Sequence, residues 1–256
     1  MKRVKFIRAA VCVSFVFLLS GCGASSEEEM ERCKEAVSRV EAMEAVKIDS
    51  VSMMTDDGET GESRSETWHI DGENWMSVNE FAGQKTWILE RDGRQYSKTM
   101  VGGNFQEEAM PWYVLDNPLE REERVKLLYE EYAVFTEAEK EGGMRVLTWE
   151  VPEEELQTAW EQEMENRELP EDMREDIVGS TSRPTMLQFL YYLDEDGNLE
   201  KLVANETMEE RKDGEKTGTL GIASTVTYTE VSAGEAQKVM DEVYAEIPED
   251  LTGYSG

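Results

Sequence analysis

His69, in "ETWHID", is the only histidine in the chain. Any Ser-His-Asp or Cys-His machinery would have to be built on it, because such chemistry needs a positioned general base. No Gly-x-Ser-x-Gly accompanies it. His69 falls inside a predicted strand, where its ring points opposite Trp68 and Ile70 and is expected to face solvent. Zinc sites draw on clusters of His and Cys, and one histidine with Cys12, Cys22 and Cys33 does not form one. "DEDGN", 194–198, superficially resembles a calcium loop, but an EF-hand loop carries glycine at its sixth position and an acid at its twelfth. Here Gly197 is the fourth residue after counting from Asp194, and a hairpin turn is the reading that fits. Paired carboxylates for sugar hydrolysis cannot be singled out among 57 acids, and no glycine-rich phosphate loop is present. The expectation is a protein that is not an enzyme, with no metal and no cofactor.

The thiol with the clearest chemistry is Cys22, in "LLSGCG". Lys2, Arg3, Lys5 and Arg8 make a basic head, and Ala9 to Leu19 an apolar run of 11 residues. That run is too short to span a bilayer, which takes about 20 residues, and fits the apolar region of a secretory signal. Leu19-Ser20-Gly21-Cys22 then resembles the bacterial lipobox. The resemblance implies cleavage before Cys22 and a diacylglycerol on its sulfur. It further implies attachment to the extracytoplasmic face of the cell membrane. Residues 1–21 are expected to be the signal, 22–29 a polar tether and 30–250 one domain. Cys33 would be the remaining thiol, without a partner for an internal disulfide, and it lies on the apolar face of a predicted helix, where a buried thiol is expected.

The whole chain carries a net charge of −31, and −35 without the basic head. Such a balance opposes nucleic acid and anionic headgroups, which need clustered Lys and Arg. It suits a basic protein partner, or simply a well-solvated surface.

Met30, Cys33, Val37, Val40 and Val46, with Met43 beside them, recur at helical spacing and predict a helix over 27–46. The period then changes. "KIDSVSMM", "SETWHI", "NWMSVN", "KTWILER" and "RQYSKTM" are short β-rich runs, punctuated by Asp57-Gly58, Asp71-Gly72 and Asp92-Gly93. Glycine reaches positive φ freely, which suits hairpin turns, so 47–100 is predicted to be a five-stranded antiparallel meander. Asn117-Pro118 opens a predicted helix with Val125, Leu128, Tyr129 and Tyr132 inward. "AVFTEAE" and "MRVLTWEV" predict a hairpin around Gly142-Gly143. Pro152 and three glutamates start another helix, with Leu156, Trp160 and Met164 four apart. Residues 165–184 are polar and expected to form a loop or lid. Two long strands should flank Asp196-Gly197, with a further turn at "KDGEK", a last strand in "GIASTVTYTEV" and a terminal helix in "GEAQKVMDEVYAEI".

The fold class is therefore α+β, mainly antiparallel β: a strongly curved sheet or incomplete barrel of about ten strands with capping helices. In "LQFLYYL", apolar residues occupy both faces, as in a strand between two layers. Trp68, Trp75, Trp87, Trp149, Phe189 and Tyr191 lie on predicted strands. They either fill an ordinary core or line a ligand cleft.

The order of these parts, from lipobox through Asp-Gly meander to the long strands around "YYLDEDGNLEKL", resembles the lipoprotein-carrier superfamily typified by LolA and LppX. In style it is closest to Gram-positive lipoproteins of that group. The resemblance implies a curved sheet with helices over its open side and an apolar cavity for acyl chains. Two functions follow. The first is a membrane-anchored module that binds or carries a lipid or other apolar ligand. The second is an interaction or sensor lipoprotein with a filled core, whose acidic surface meets a basic partner.

Overall fold

A computed structural model describes residues 26–56, 58–70, 74–101, 108–115, 133–141, 144–166, 182–212 and 214–252. The lipobox and Cys22, the Asp71-Gly72 turn, the helix expected after Asn117-Pro118, and residues 167–181 of the expected 165–184 loop lie outside the described residues; 165–166 instead end a helix and 183–184 begin a strand.

Helix α1 (Ser26–Glu41) leads into β1 (Ala45–Asp56), β2 (Glu59–Ile70), β3 (Asn74–Phe81), β4 (Gln84–Arg91) and β5 (Arg94–Val101). This is the five-stranded meander read from the sequence. Two bridges of two residues each, β6 (Glu108–Ala109) and β7 (Tyr113–Val114), pair with β5. They were not foreseen, because two residues carry no periodic signal. The hairpin β8 (Val134–Glu141) and β9 (Met144–Glu150) precedes α2 (Glu153–Asn166). Then come β10 (Arg183–Leu193), β11 (Leu199–Lys212), β12 (Glu215–Glu230), α3 (Ala233–Tyr244) and the single turn α4 (Glu249–Thr252).

The twelve strands among the described residues form one open antiparallel sheet in the order β6-β5-β4-β3-β2-β1-β12-β11-β10-β9-β8, with β7 beside β5. Each half is a run of local pairings, and β12 joins them by bonding β1 on one side and β11 on the other. The turns bear out the glycine reading. Asp92 and Gly93 both have positive φ (53° and 71°), as a type I′ hairpin requires. Ala82 and Gly83 (51° and 78°) make the same turn without an Asp to announce it. An alanine in the left-handed region carries a steric cost of about 1–2 kcal/mol, which Asn tolerates better. Ala82→Asn should therefore raise stability by about 0.5–1 kcal/mol, seen as a higher urea midpoint with an unchanged slope.

Alternation along β1 sends adjacent residues to opposite faces, and the helices follow this split. Val46 belongs to a core with Cys33, Ala36 and Val40 of α1. Its neighbour Ala45 belongs to another core with Ala236 and Met240 of α3. So α1 covers one face over the β8–β12 half, and α3 the other face over the β1–β5 half. Cys33 is fully buried in the first core, as its helical position predicted. The α1 helix ends earlier than expected. Its last turn closes with Ala42 N–H on Ser38 O and Met43 N–H on Val40 O. Val46, assigned to the helix by spacing, is a β1 residue between His69 and Glu230.

At the far end of α1, Arg39 donates to Asp196 O (2.7 Å) and Asn198 Oδ1 (3.3 Å), pinning the helix to the β10–β11 turn. That turn is the hairpin expected at "DEDGN". Asp194 Oδ1 accepts from the backbone N–H of Asp196 and Asn198, and Gly197 has φ 79°. The Asn198 side chain, then its backbone N–H, hold the Asp194 carboxyl below the usual carboxylate range. Leu156, Trp160 and Met164 of α2 are buried, as their spacing predicted.

Candidate functional site

The six aromatic residues proposed as a ligand lining do not converge. Trp149 and Tyr191 have no exposed surface, and both lie in the core under α1 with Phe189. Trp149 packs edge-on between Phe189 (4.7 Å between centroids) and Phe135 (6.5 Å). These three are filled core. Register puts Trp149 opposite Phe189 on adjacent strands, so their rings meet each other. Trp75 lies on the same face of the sheet, in the other half. Its indole N–H donates to Glu90 Oε2 (2.9 Å), which also accepts from Gln95 Nε2 (2.7 Å). Trp68 and Trp87 point to the α3 side.

His69 also departs from expectation. It points away from Trp68 as alternation required, but it is 4 % exposed and stacked on Trp75 at 6.4 Å. β2 is an interior strand, flanked in register by Val46 of β1 and Trp75 of β3, so neighbours close the ring in on both sides within the sheet. Alternation fixes the side a residue takes but not whether that side is covered.

Pairing register lays out the α3 face as successive rows across β1–β5. The first row runs Lys47, Trp68, Met76, Leu89, Tyr96. It is the seat of α3, whose Ala236 and Met240 are buried against it. Ser232 caps that helix by accepting from Glu235 N–H. Arg91 reaches Asp241 (2.6 Å) and lies over the Tyr244 ring, and Lys98 reaches Glu246 (3.1 Å). The next row runs Asp49, Glu66, Val78, Trp87, and the one after it Val51, Arg64, Glu80, Lys85. These two rows extend past the edge of α3.

The result is a cleft of about 450 Å³ between α3 and the sheet, within the range of small-molecule sites. Met76, Val78 and Trp87 form its floor, and Val239 and Val243, one turn apart on α3, form a wall. Charged groups make the rim. Lys47 bridges Asp49 and Glu66, both at 2.9 Å. Burial pulls the Lys47 ammonium down, but the two carboxylates outweigh it and hold the group above the usual lysine range. Burial raises Glu66, yet hydrogen bonds from the Trp68 indole and Lys47 bring it below the usual carboxylate range. Of the six aromatic residues, Trp87 is the one that lines this cleft. The sequence signal that could have found it is the alternation Trp87, Lys85 on a strand, with a tryptophan among charges on a half-covered face.

A second cleft, of about 420 Å³, lies between α1 and the β10–β11 turn. Arg32, Arg39 and Arg145 face Glu35, Asp194 and Asp196 there. Arg39 is committed to the turn and Arg32 to Glu28. This cleft is a polar strut holding α1 in place. Among the described residues no group of three or more His, Cys, Asp and Glu could hold a metal ion, and no helix is long and apolar enough to cross a membrane.

An open antiparallel sheet with helices on opposite faces and one apolar cleft under a charged rim is the class of protein these observations define. No known protein family and no curated protein matches the chain. Solved structures do. One is a domain from Vibrio parahaemolyticus described as an outer membrane lipoprotein-sorting protein, at 12% identity, covering 84% of this chain and 99% of that one, with a TM-score of 0.27. Another is a DUF1329 family protein from Desulfovibrio piger, at 10% identity over 80% and 91% of the two chains, TM-score 0.25. LprF from Mycobacterium bovis matches at 10% identity over 82% and 96%, TM-score 0.34.

Proposed function

We propose that this protein is a lipid-anchored extracytoplasmic binding module that holds an apolar or amphipathic ligand in the α3 cleft, and that it works by binding, not catalysis. The observation that carries the reading is the cleft itself. Met76, Val78, Trp87, Val239 and Val243 present an apolar trough at the border between helix-covered and open sheet. Small-ligand sites combine apolar surface with polar groups that fix orientation, and here the apolar floor is bordered by polar and charged residues, among them Asp49, Arg64, Glu66, Glu80 and Lys85, a mix that suits an amphipathic ligand. Cys22, four residues ahead of the start of the first described helix, would carry the anchor.

The filled core under α1 favours a second reading, in which the protein has no ligand and its acidic surface meets a basic partner. Probe binding separates the two. The full chain bearing Cys22→Ser, titrated with the uncharged apolar fluorophore N-phenyl-1-naphthylamine, should bind it with a micromolar Kd and quench the tryptophan emission. Val239→Trp, which fills the trough from the helix side, should abolish the binding without unfolding the protein. Absence of probe binding, or equal binding in Val239→Trp, would leave the partner-binding reading standing instead.

A further inference from the structure

We infer that the cleft is one end of a longer site, and that its ligand is an extended chain whose far part lies across β1, β12 and β11 on the same face. This rests on the cleft being a ligand site. On its β1 side the cleft is bounded by Val51. There the sheet face stays open and changes character. Pairing register puts Thr225, Val203 and Leu190 in line with Val51, and Ala223, Asn205 and Gln188 in line with Met53. Neither line carries a charged residue from β1 to β10. The solvated face of an antiparallel sheet ordinarily reads polar, yet Val51 and Met53 are each 39 % exposed, with Ala223 and Thr225 exposed beside them. Val203 ends the path by packing against buried Val146, Leu190 and Tyr192. The cause lies in β12: residues 217–229 carry no charge, in a chain where 32% of residues are charged.

Charged groups border the way onto this window without closing it. The Trp68 indole and Lys47 draw Glu66 toward the first row, and Glu62 draws Arg64 the other way. The two side chains therefore part on β2, between the Val78 and Trp87 floor and Val51. From Trp87 on β4 to Val203 on β11 is five strand spacings, about 24 Å at about 4.8 Å each. A compact ligand fills the cleft alone, whereas a chain long enough to leave it meets apolar surface over β1 and β12. Charge decides the occupant. The window carries none and offers nothing to a charged partner, and the net charge of −31 opposes a second copy of the chain.

Alkyl maltosides keep one uncharged head and vary the tail: octyl, decyl, dodecyl and tetradecyl. Each is titrated below its micelle threshold into the full chain with Cys22→Ser, reading displacement of N-phenyl-1-naphthylamine. Affinity should rise about threefold to fourfold with each added methylene up to the longest tail, the gain for a methylene taken out of water. Ala223→Glu puts a charge on the window, outside the cleft lining. It should leave octyl binding and the fluorophore Kd unchanged and weaken tetradecyl binding about tenfold. Thr225→Glu should act in the same way. Thr219→Glu, four residues from Ala223 on the same strand and face, should change neither. Equal gains with tail length in Ala223→Glu and the unsubstituted window would overturn the inference and leave the cleft a ligand site. A gain that survives in Val239→Trp would also overturn it, since the window would then bind without the cleft. Concentration-dependent dimerisation abolished by Ala223→Glu, read by sedimentation, would overturn it in favour of a second copy. Failure of the fluorophore and of every maltoside to bind would overturn the ligand site as well.

Discussion

Trp149→Ala should destabilise the protein by about 3–5 kcal/mol, the range for truncating a large buried aromatic residue. Trp149 has no exposed surface and lies between Phe135 and Phe189. Its removal forfeits the burial of an indole and two edge-to-face contacts, each worth about 0.5–1.5 kcal/mol beyond area. Strands fix the backbone on both sides, so the void would close poorly. Domains of this kind hold only about 5–15 kcal/mol in total, and the variant should show a much lower urea midpoint. The magnitude also tests the role. Were the residue part of a ligand cavity wall, its truncation would cost little stability and alter probe binding. As filled core, it should cost stability and leave the Kd of the folded fraction unchanged.

Met240→Ala should act on both stability and the site. Met240 is 1 % exposed and is the central contact of α3 with the sheet. Its truncation should cost about 2–5 kcal/mol. The other ties of α3 cannot compensate. The Arg91–Asp241 and Lys98–Glu246 pairs are half-exposed, and such pairs contribute about 0–1 kcal/mol each. Val239 and Val243 are carried on the same helix, so a loosened α3 removes a wall of the cleft. Apolar probe binding should weaken even under conditions where the sheet remains folded. Arg91→Ala should shift both readings far less. Equal effects of the two variants on the urea midpoint would show that α3 is held by its ion pairs and not by its apolar face.

Local pairing explains how much of the fold was legible. The hairpins announced by Asp-Gly, and the alternating runs between them, depend on neighbours within about ten residues, and they appear where expected. The Ala82-Gly83 hairpin was bracketed correctly by "NWMSVN" and "KTWILER", although alanine gave no hint of its left-handed backbone. What failed depends on distant packing. The burial of His69 depends on what packs over its side of the sheet, opposite α3, which alternation along β2 does not report. The end of α1 turns on Val46 finding Glu230, 184 positions away, to pair with. The aromatic residues were found but not sorted, because alternation shows that Trp68 and His69 point opposite ways without saying which helix covers which side. The cleft was the least legible part. It exists because α3, from the end of the chain, covers the first row of a face built by residues 45–98 and stops short of the next two.

The order of the sheet has a bearing on how the chain is made. Strands β1–β5 and β8–β11 can each assemble as they emerge, from neighbours close in sequence. Neither half can lock to the other until residues 215–230 arrive, since β12 is the seam that bonds both. For a chain that folds as it emerges from its N-terminus, the sheet could close only once residue 230 of 256 was out. Until then β1 and β11 would each present an unzipped edge, open to pairing with another chain.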